Sequence, residues 1–293
     1  MSAAIVRCCM RPFTTLIDVE TLASQLERDD VVVFDCRSEL GNPAWGEAEY
    51  AQSHLPGAQF LHLDRDLSSA ITATSGRHPL PDPQVFARRL GELGAGPDSQ
   101  IVAYDQGNGA YAARLWWLAR WIGHLHVAVL DGGFAAWRAA GKPLEHTRRV
   151  LRARSLPALI DERAAVDSHA VDALRQRPGA LLVDARGANR FAGRDETIDP
   201  RAGHVPGARN LPFTGNLGAD GRFLSAGALR QRFETLLGSR PPSAIVAMCG
   251  SGVTACHNLL ALEHAGLAGG RLYAGSWSEW IRDPRRPVAT GSF

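Results

Sequence analysis

Val33-Phe34-Asp35-Cys36-Arg37 and Leu182-Val183-Asp184-Ala185-Arg186 share one pattern, an aliphatic run closed by Asp-x-Arg, with the two aspartates 149 residues apart. A short apolar run of this kind reads as a buried strand whose carboxyl end is polar. Working outward, the repetition continues. His54-Leu55-Pro56-Gly57-Ala58 answers to His204-Val205-Pro206-Gly207-Ala208 at an offset of 150, and Ile101-Val102-Ala103 to Ile245-Val246-Ala247 at 144. Gly132 and Trp137 answer to Gly275 and Trp280 at 143. Four anchors in one order define an internal duplication, with loops gained or lost between them.

Each copy alternates strand-like and helix-like segments. Runs 31–35, 101–104, 126–130, 181–184 and 244–248 predict buried strands; 17–28, 84–94, 110–122, 166–177, 226–237 and 254–265 predict amphipathic helices. This alternation points to an α/β fold, a parallel sheet in each copy with helices on both faces. We place the copies at 15–145 and 161–290, with a linker at 146–160. The basic run around it (Arg148, Arg149, Arg152, Arg154) is expected to be a solvated tether rather than a nucleic-acid contact.

Composition agrees with two ordinary globular units. The chain has 293 residues, 45% hydrophobic and 21% charged, enough for a sizeable core without staples. Its net charge of +2 gives no ground for expecting nucleic acid or a membrane as partner. Only Lys142 is a lysine, in Gly141-Lys142-Pro143, which sets aside phosphate-loop and Schiff-base chemistry. No signal-like or membrane-spanning segment is evident, so the cytoplasm is the expected location.

Five cysteines (Cys8, Cys9, Cys36, Cys249 and Cys256) form no disulfide or zinc pattern; one reactive thiol in a reducing compartment is expected, with no metal or organic cofactor. Cys249 is the candidate. It follows the strand 244–248 and opens Cys249-Gly250-Ser251-Gly252-Val253-Thr254 ahead of a helix. Glycines at such a turn let successive N–H groups converge, and the helix dipole adds positive potential. Both favour a thiolate and an anion beside it. The sixth residue beyond Cys249 is Ala255 where a phosphatase needs arginine, and the third is Gly252 where a dithiol motif needs cysteine. The first copy carries Asp105 at the matching place and should be catalytically silent. Cys8, Cys9, Cys36 and Cys256 read as packing residues, and the two His-x-Pro-Gly-Ala segments as structural turns.

Together these motifs resemble the tandem-domain rhodanese-type sulfurtransferases over about residues 15–290. The loop and the segment Leu272-Tyr273-Ala274-Gly275-Ser276-Trp277-Ser278-Glu279-Trp280 are similar to the 3-mercaptopyruvate sulfurtransferase branch. Thiosulfate-preferring members usually carry Arg and Lys where Gly250 and Ser251 stand. The resemblance implies two tandem rhodanese-like domains and transfer of sulfur from 3-mercaptopyruvate, through a Cys249 persulfide, to a thiol, thioredoxin or cyanide.

It further implies that N–H groups of residues 250–254 (Gly250, Gly252, Val253 and Thr254 among them) hold the sulfur anion, and that Arg190 binds the substrate carboxylate. Ser251, His78 and Asp64 would form a proton relay across the domain interface. For a second arginine, Arg194 and Arg201 compete, with Arg201 preferred. Two alternatives stand beside this: a thiosulfate sulfurtransferase using the same cysteine, and a persulfide carrier without rapid turnover.

Overall fold

The structure, a computed structural model, describes residues 12–177 and 179–291. The first five-stranded parallel sheet contains β1 (Leu16–Ile17), β2 (Val31–Asp35), β3 (Gln59–Phe60), β4 (Gln100–Tyr104) and β5 (Val127–Leu130), in the order β1-β5-β4-β2-β3. The second contains β6 (Ala165–Val166), β7 (Leu181–Asp184), β8 (Arg209–Asn210), β9 (Ile245–Met248) and β10 (Arg271–Tyr273), in the order β6-β10-β9-β7-β8. The two orders are the same sequence of corresponding strands, so the duplication is visible in the topology. The central strands β4 and β9 are buried throughout, as strands covered on both faces must be.

Among the described residues, ten α-helices accompany the sheets. They are α1 (Val19–Ala23), α2 (Trp45–Gln52), α3 (Pro83–Glu92), α4 (Ala112–Trp121), α5 (Gly133–Ala139), α6 (Ser168–Leu174), α7 (Ala188–Phe191), α8 (Ala226–Leu237), α9 (Thr254–His264) and α10 (Ser276–Trp280). None among the described residues is long and apolar enough to cross a membrane. Two predicted helices, 17–28 and 166–177, come out shorter at both ends, as Val19–Ala23 and Ser168–Leu174, and their later starts share one cause. Leu16 and Ile17 pair with Val129 and Leu130, and Asp18 then caps α1 through the Thr21 N–H. Ala165 and Val166 likewise pair with Leu272 and Tyr273, and Asp167 caps α6 through the Ala170 N–H. An edge strand takes the first residue of each amphipathic run, Ile17 and Val166.

The linker's Arg148, Arg149, Arg152 and Arg154 are exposed, as expected of a solvated run, but its backbone does not run free. Its backbone is strapped to the first domain by Arg154 N–H to Gly91 O (2.8 Å), Leu159 N–H to Ile122 O (2.8 Å) and Asp161 N–H to Trp121 O (2.9 Å). Gly91 permits the approach, because a Cβ there would lie 2.4 Å from the Arg154 carbonyl oxygen. Backbone hydrogen bonding, not the charge of the arginine run, decides its course.

Helices α4 and α9, which follow corresponding loops, pack against each other across the domain boundary. One apolar cluster runs through both domains there, joining Phe34, Ile101 and Leu115 to Ala247, Val253 and Leu260. Trp116 and Trp117 are buried in it as packing residues. The histidine motifs are turns in both copies. His54 stacks on Tyr50 and its Nδ1 pairs with Tyr50 O (2.8 Å), while His204 stacks on Phe191 and pairs with Phe191 O (2.8 Å).

Candidate active site

Cys249 is the first residue after β9, at the carboxyl end of the central strand where α/β sheets place their ligands. It is buried (2% exposed), and its Sγ accepts the Gly252 N–H at 3.1 Å. Helix α9 begins at Thr254, one turn away, so its positive end faces the same sulfur. The backbone of Cys249 is fixed from a second side. Its N–H donates to Ser276 Oγ (3.0 Å), and its carbonyl accepts the Trp277 N–H (3.0 Å). Ser276 has φ +53°, the left-handed value that Gly133 adopts at the corresponding place in the first copy.

Ser251 leaves the loop toward the first domain. Its Oγ lies 2.7 Å from His78 Nδ1, and His78 Nε2 lies 3.3 Å from Asp64 Oδ1. Asp64 can only accept when ionised, so Nε2 carries the proton and Nδ1 accepts from the Ser251 hydroxyl. Burial holds His78 below the ordinary histidine range, with Asp64 opposing that effect. The hydrogen bond from His78 in turn holds Asp64 below the usual carboxylate range. A neutral imidazole with an anionic partner is ready to take a proton through the serine.

Arg190, on α7, is clamped by Glu196, with Nε and Nη2 both within 3.2 Å of its carboxylate. Its Nη2 also reaches Asp199 Oδ2 at 3.1 Å. Arg77, next to His78, pairs with the other oxygen of Asp199 from the first domain. Both guanidinium groups lie over Gly250. Arg201 is placed differently. Its side chain is exposed and reaches Arg286 O at 3.5 Å, while its carbonyl accepts the Trp277 indole N–H. Arg194 is also exposed.

Sequence reasoning passed over four residues here. Arg114 is fully buried and donates to the carbonyls of Leu67, His78, Pro79 and Gly252, tying the His78 segment to the cysteine loop. Ser276 could have been found from its alignment with Gly133. Arg77 and Asp199 carried no local signal, because their partnership spans 122 residues. Cys256 is buried, pushed up to about 12 by burial, and donates to Gly252 O (3.3 Å) as a protonated thiol. Cys36 is buried too, whereas Cys8 and Cys9 lie outside the described residues.

Two sheets of one strand order, one cysteine loop and one aspartate loop define a tandem rhodanese-like protein, and the rhodanese-like domain pattern matches residues 18–140 and 167–283. The chain belongs to that family. A Pseudomonas aeruginosa protein provisionally named 3-mercaptopyruvate sulfurtransferase is 51% identical over 278 residues, covering 94% of this chain and 98% of its own. SseB of Mycobacterium tuberculosis, provisionally named a thiosulfate sulfurtransferase, is 38% identical over 94% of this chain and 97% of its own. Among solved structures, 3-mercaptopyruvate sulfurtransferase from Leishmania major superposes with a TM-score of 0.82 at 33% identity, over 94% of this chain and 76% of that one.

Proposed function

We propose that this protein is a 3-mercaptopyruvate sulfurtransferase, an enzyme that passes sulfane sulfur through a Cys249 persulfide to a thiol, thioredoxin or cyanide. In the first half-reaction the Cys249 thiolate attacks the donor sulfur. An S–S bond forms, the donor C–S bond breaks, and its electron pair leaves on the enolate of pyruvate. The proton of the donor thiol passes through Ser251 to neutral His78, where Asp64 supports the imidazolium, and returns to C3 of the enolate. Cys249 is left as the persulfide anion, held by the Gly252 N–H and the start of α9. In the second half-reaction the acceptor attacks the outer sulfur and the Cys249 thiolate returns.

The observation that carries this choice of donor is the 2.7 Å contact between Ser251 and His78. A carbon leaving group needs a proton, whereas sulfite leaving thiosulfate does not. Arg190 beside Gly250 supplies a cation for the donor carboxylate. The names of the Pseudomonas and Leishmania relatives support the same donor. Three free buried thiols (Cys36, Cys249 and Cys256) support a reducing location such as the cytoplasm.

Comparing kcat/KM for 3-mercaptopyruvate and thiosulfate tests the assignment. We expect a marked preference for 3-mercaptopyruvate, and a marked preference for thiosulfate would overturn it. Cys249→Ser should abolish turnover of both donors and the gain of one sulfur atom seen by mass spectrometry.

A further inference from the structure

Four guanidinium groups lie around the cysteine loop, and three of them have carboxylate partners. Arg77 pairs with Asp199, and Arg190 with Glu196 and Asp199. Arg186, which lies within the field of Cys249, pairs with Asp184 and Glu196. Arg114 has no carboxylate partner among the described residues, yet it is 0% exposed. The oxygens it donates to are the backbone carbonyls of Leu67, His78, Pro79 and Gly252. A buried cation is costly unless an anion offsets it.

Two sulfurs stand near enough to supply that anion, those of Cys256 and Cys249. Burial pushes the Cys256 thiol up to about 12, and its Sγ donates to Gly252 O at 3.3 Å, so it keeps its proton. Cys249 remains. Gly252 stands between this sulfur and the guanidinium. Its N–H donates to Cys249 Sγ at 3.1 Å, and its carbonyl accepts Arg114 Nη1 at 3.2 Å.

The second domain shows what this helix position requires for packing alone. Asn258 stands nine residues beyond Cys249, as Arg114 stands nine beyond Asp105. Asn258 is buried too, and its neutral amide donates to Leu211 O at 2.9 Å. Helix α9 faces the silent loop, where His257 Nε2 lies 3.0 Å from Asn108 O. The charge is therefore carried by the helix that faces the sulfur and is absent from the one that faces Asp105.

We propose that Arg114, reaching across the domain boundary from α4, is the counter-cation of the Cys249 sulfur, supporting the resting thiolate and then the persulfide anion. The persulfide half rests on the sulfurtransferase reading given above; the thiolate half does not. Burial first, and the charge of Arg114 with it, hold His78 below the ordinary histidine range against the pull of Asp64. One cation thus favours an anionic sulfur and a neutral base together, the pair that attack on sulfur and proton uptake both require.

The test separates charge from hydrogen bonding. Arg114→Gln keeps an amide donor, as Asn258 does, without the charge; Arg114→Lys keeps the charge without the fork. Alkylation of Cys249 by iodoacetamide across pH, followed by mass spectrometry of its peptide, reads the thiolate. The pH of half-maximal rate should rise by about one unit or more in Arg114→Gln and stay near the wild-type value in Arg114→Lys. An unmoved midpoint in Arg114→Gln, or a shift as large in Arg114→Lys, would overturn the counter-cation.

A second measurement leaves Arg114 in place, should its variants not fold. An anionic sulfur favoured by the fold stabilises it in return. That support is complete above the thiol's midpoint in the unfolded chain, about 8.5, and is lost as pH falls through the lower folded midpoint. The gap in urea midpoint between wild type and Cys249→Ser should therefore widen from pH 6 to pH 9, and a constant gap would equally overturn the proposal. Neither readout uses a sulfur donor. If 3-mercaptopyruvate puts no sulfur on wild-type Cys249, the sulfurtransferase reading fails while the thiolate's counter-cation still stands or falls on these two measurements.

Discussion

Asp105 occupies in the first domain the place that Cys249 occupies in the second, and its carboxylate accepts four backbone N–H groups. Oδ1 takes those of Gly107 and Gly109 (3.0 Å each), and Oδ2 those of Tyr111 (2.8 Å) and Ala112 (3.2 Å). The loop of the first copy thus turns its N–H groups onto its own carboxylate, whereas in the second the Gly252 N–H donates to the Cys249 sulfur.

Removing that carboxylate leaves four inward N–H groups without an acceptor. Asp105→Ala should destabilise the fold by about 3 kcal/mol, and Asp105→Asn by less, because the amide oxygen still accepts. Urea denaturation measures both. Cys249 should still load sulfur in the Asn variant, since the nucleophile is in the other domain.

Ser276 combines a left-handed φ with a hydroxyl that accepts the Cys249 N–H and donates to Tyr273 O (2.8 Å). Ser276→Gly relieves backbone strain but loses the acceptor; Ser276→Ala loses the acceptor and keeps the strain. Glycine should therefore be the more stable variant by about 1 kcal/mol, and both should turn over more slowly than wild type. An alanine variant more stable than the glycine one would refute this account.

The proposed relay through Ser251, His78 and Asp64 predicts a definite pH signature. His78 must be neutral to accept from Ser251, and its pKa lies below the ordinary histidine value. Turnover of 3-mercaptopyruvate should stay level as pH falls through about 6.5, then decline as His78 protonates. Asp64 favours the protonated ring, so Asp64→Asn should move that acid limb to still lower pH while lowering kcat. A limb moving upward in Asp64→Asn would count against the assigned tautomer.

Ser251→Ala should reduce 3-mercaptopyruvate turnover more than thiosulfate turnover, because only the former requires a proton returned to carbon. A change of about 10²-fold or more is the scale of general acid–base help. Equal losses on the two donors would remove Ser251 from proton transfer.

Arg114→Met should lose both stability and turnover. It leaves the carbonyls of Leu67, His78, Pro79 and Gly252 without their shared donor, at a cost of about 2–4 kcal/mol. Thermal denaturation and donor kinetics check the two effects separately.

The parts of this molecule that were legible in its sequence are those with local or repeated signatures. The Asp-x-Arg strand ends located β2 and β7, and the offset between Ile101 and Ile245 paired β4 with β9. Cys249 stood out because its loop chemistry is written in consecutive residues. Edge strands of two residues, such as Leu16–Ile17, were not legible at the starts of helical patterns because their pairing partners lie more than a hundred residues away. The positions of Arg77 and Arg201 were illegible for a related reason. An arginine's charge is visible in sequence, but the direction of its long side chain is settled by carboxylates brought close only on folding.

The single apolar cluster running through α4 and α9 has a consequence for traffic at the site. Separating the domains like jaws would expose that shared interior to water, so the two halves cannot part during each catalytic cycle. Access to Cys249 would then have to run beside its loop, where Ser251 of one domain meets His78 of the other. A protein acceptor, if that is what takes the sulfur, would have to reach Cys249, which is 2% exposed, on a slender projection.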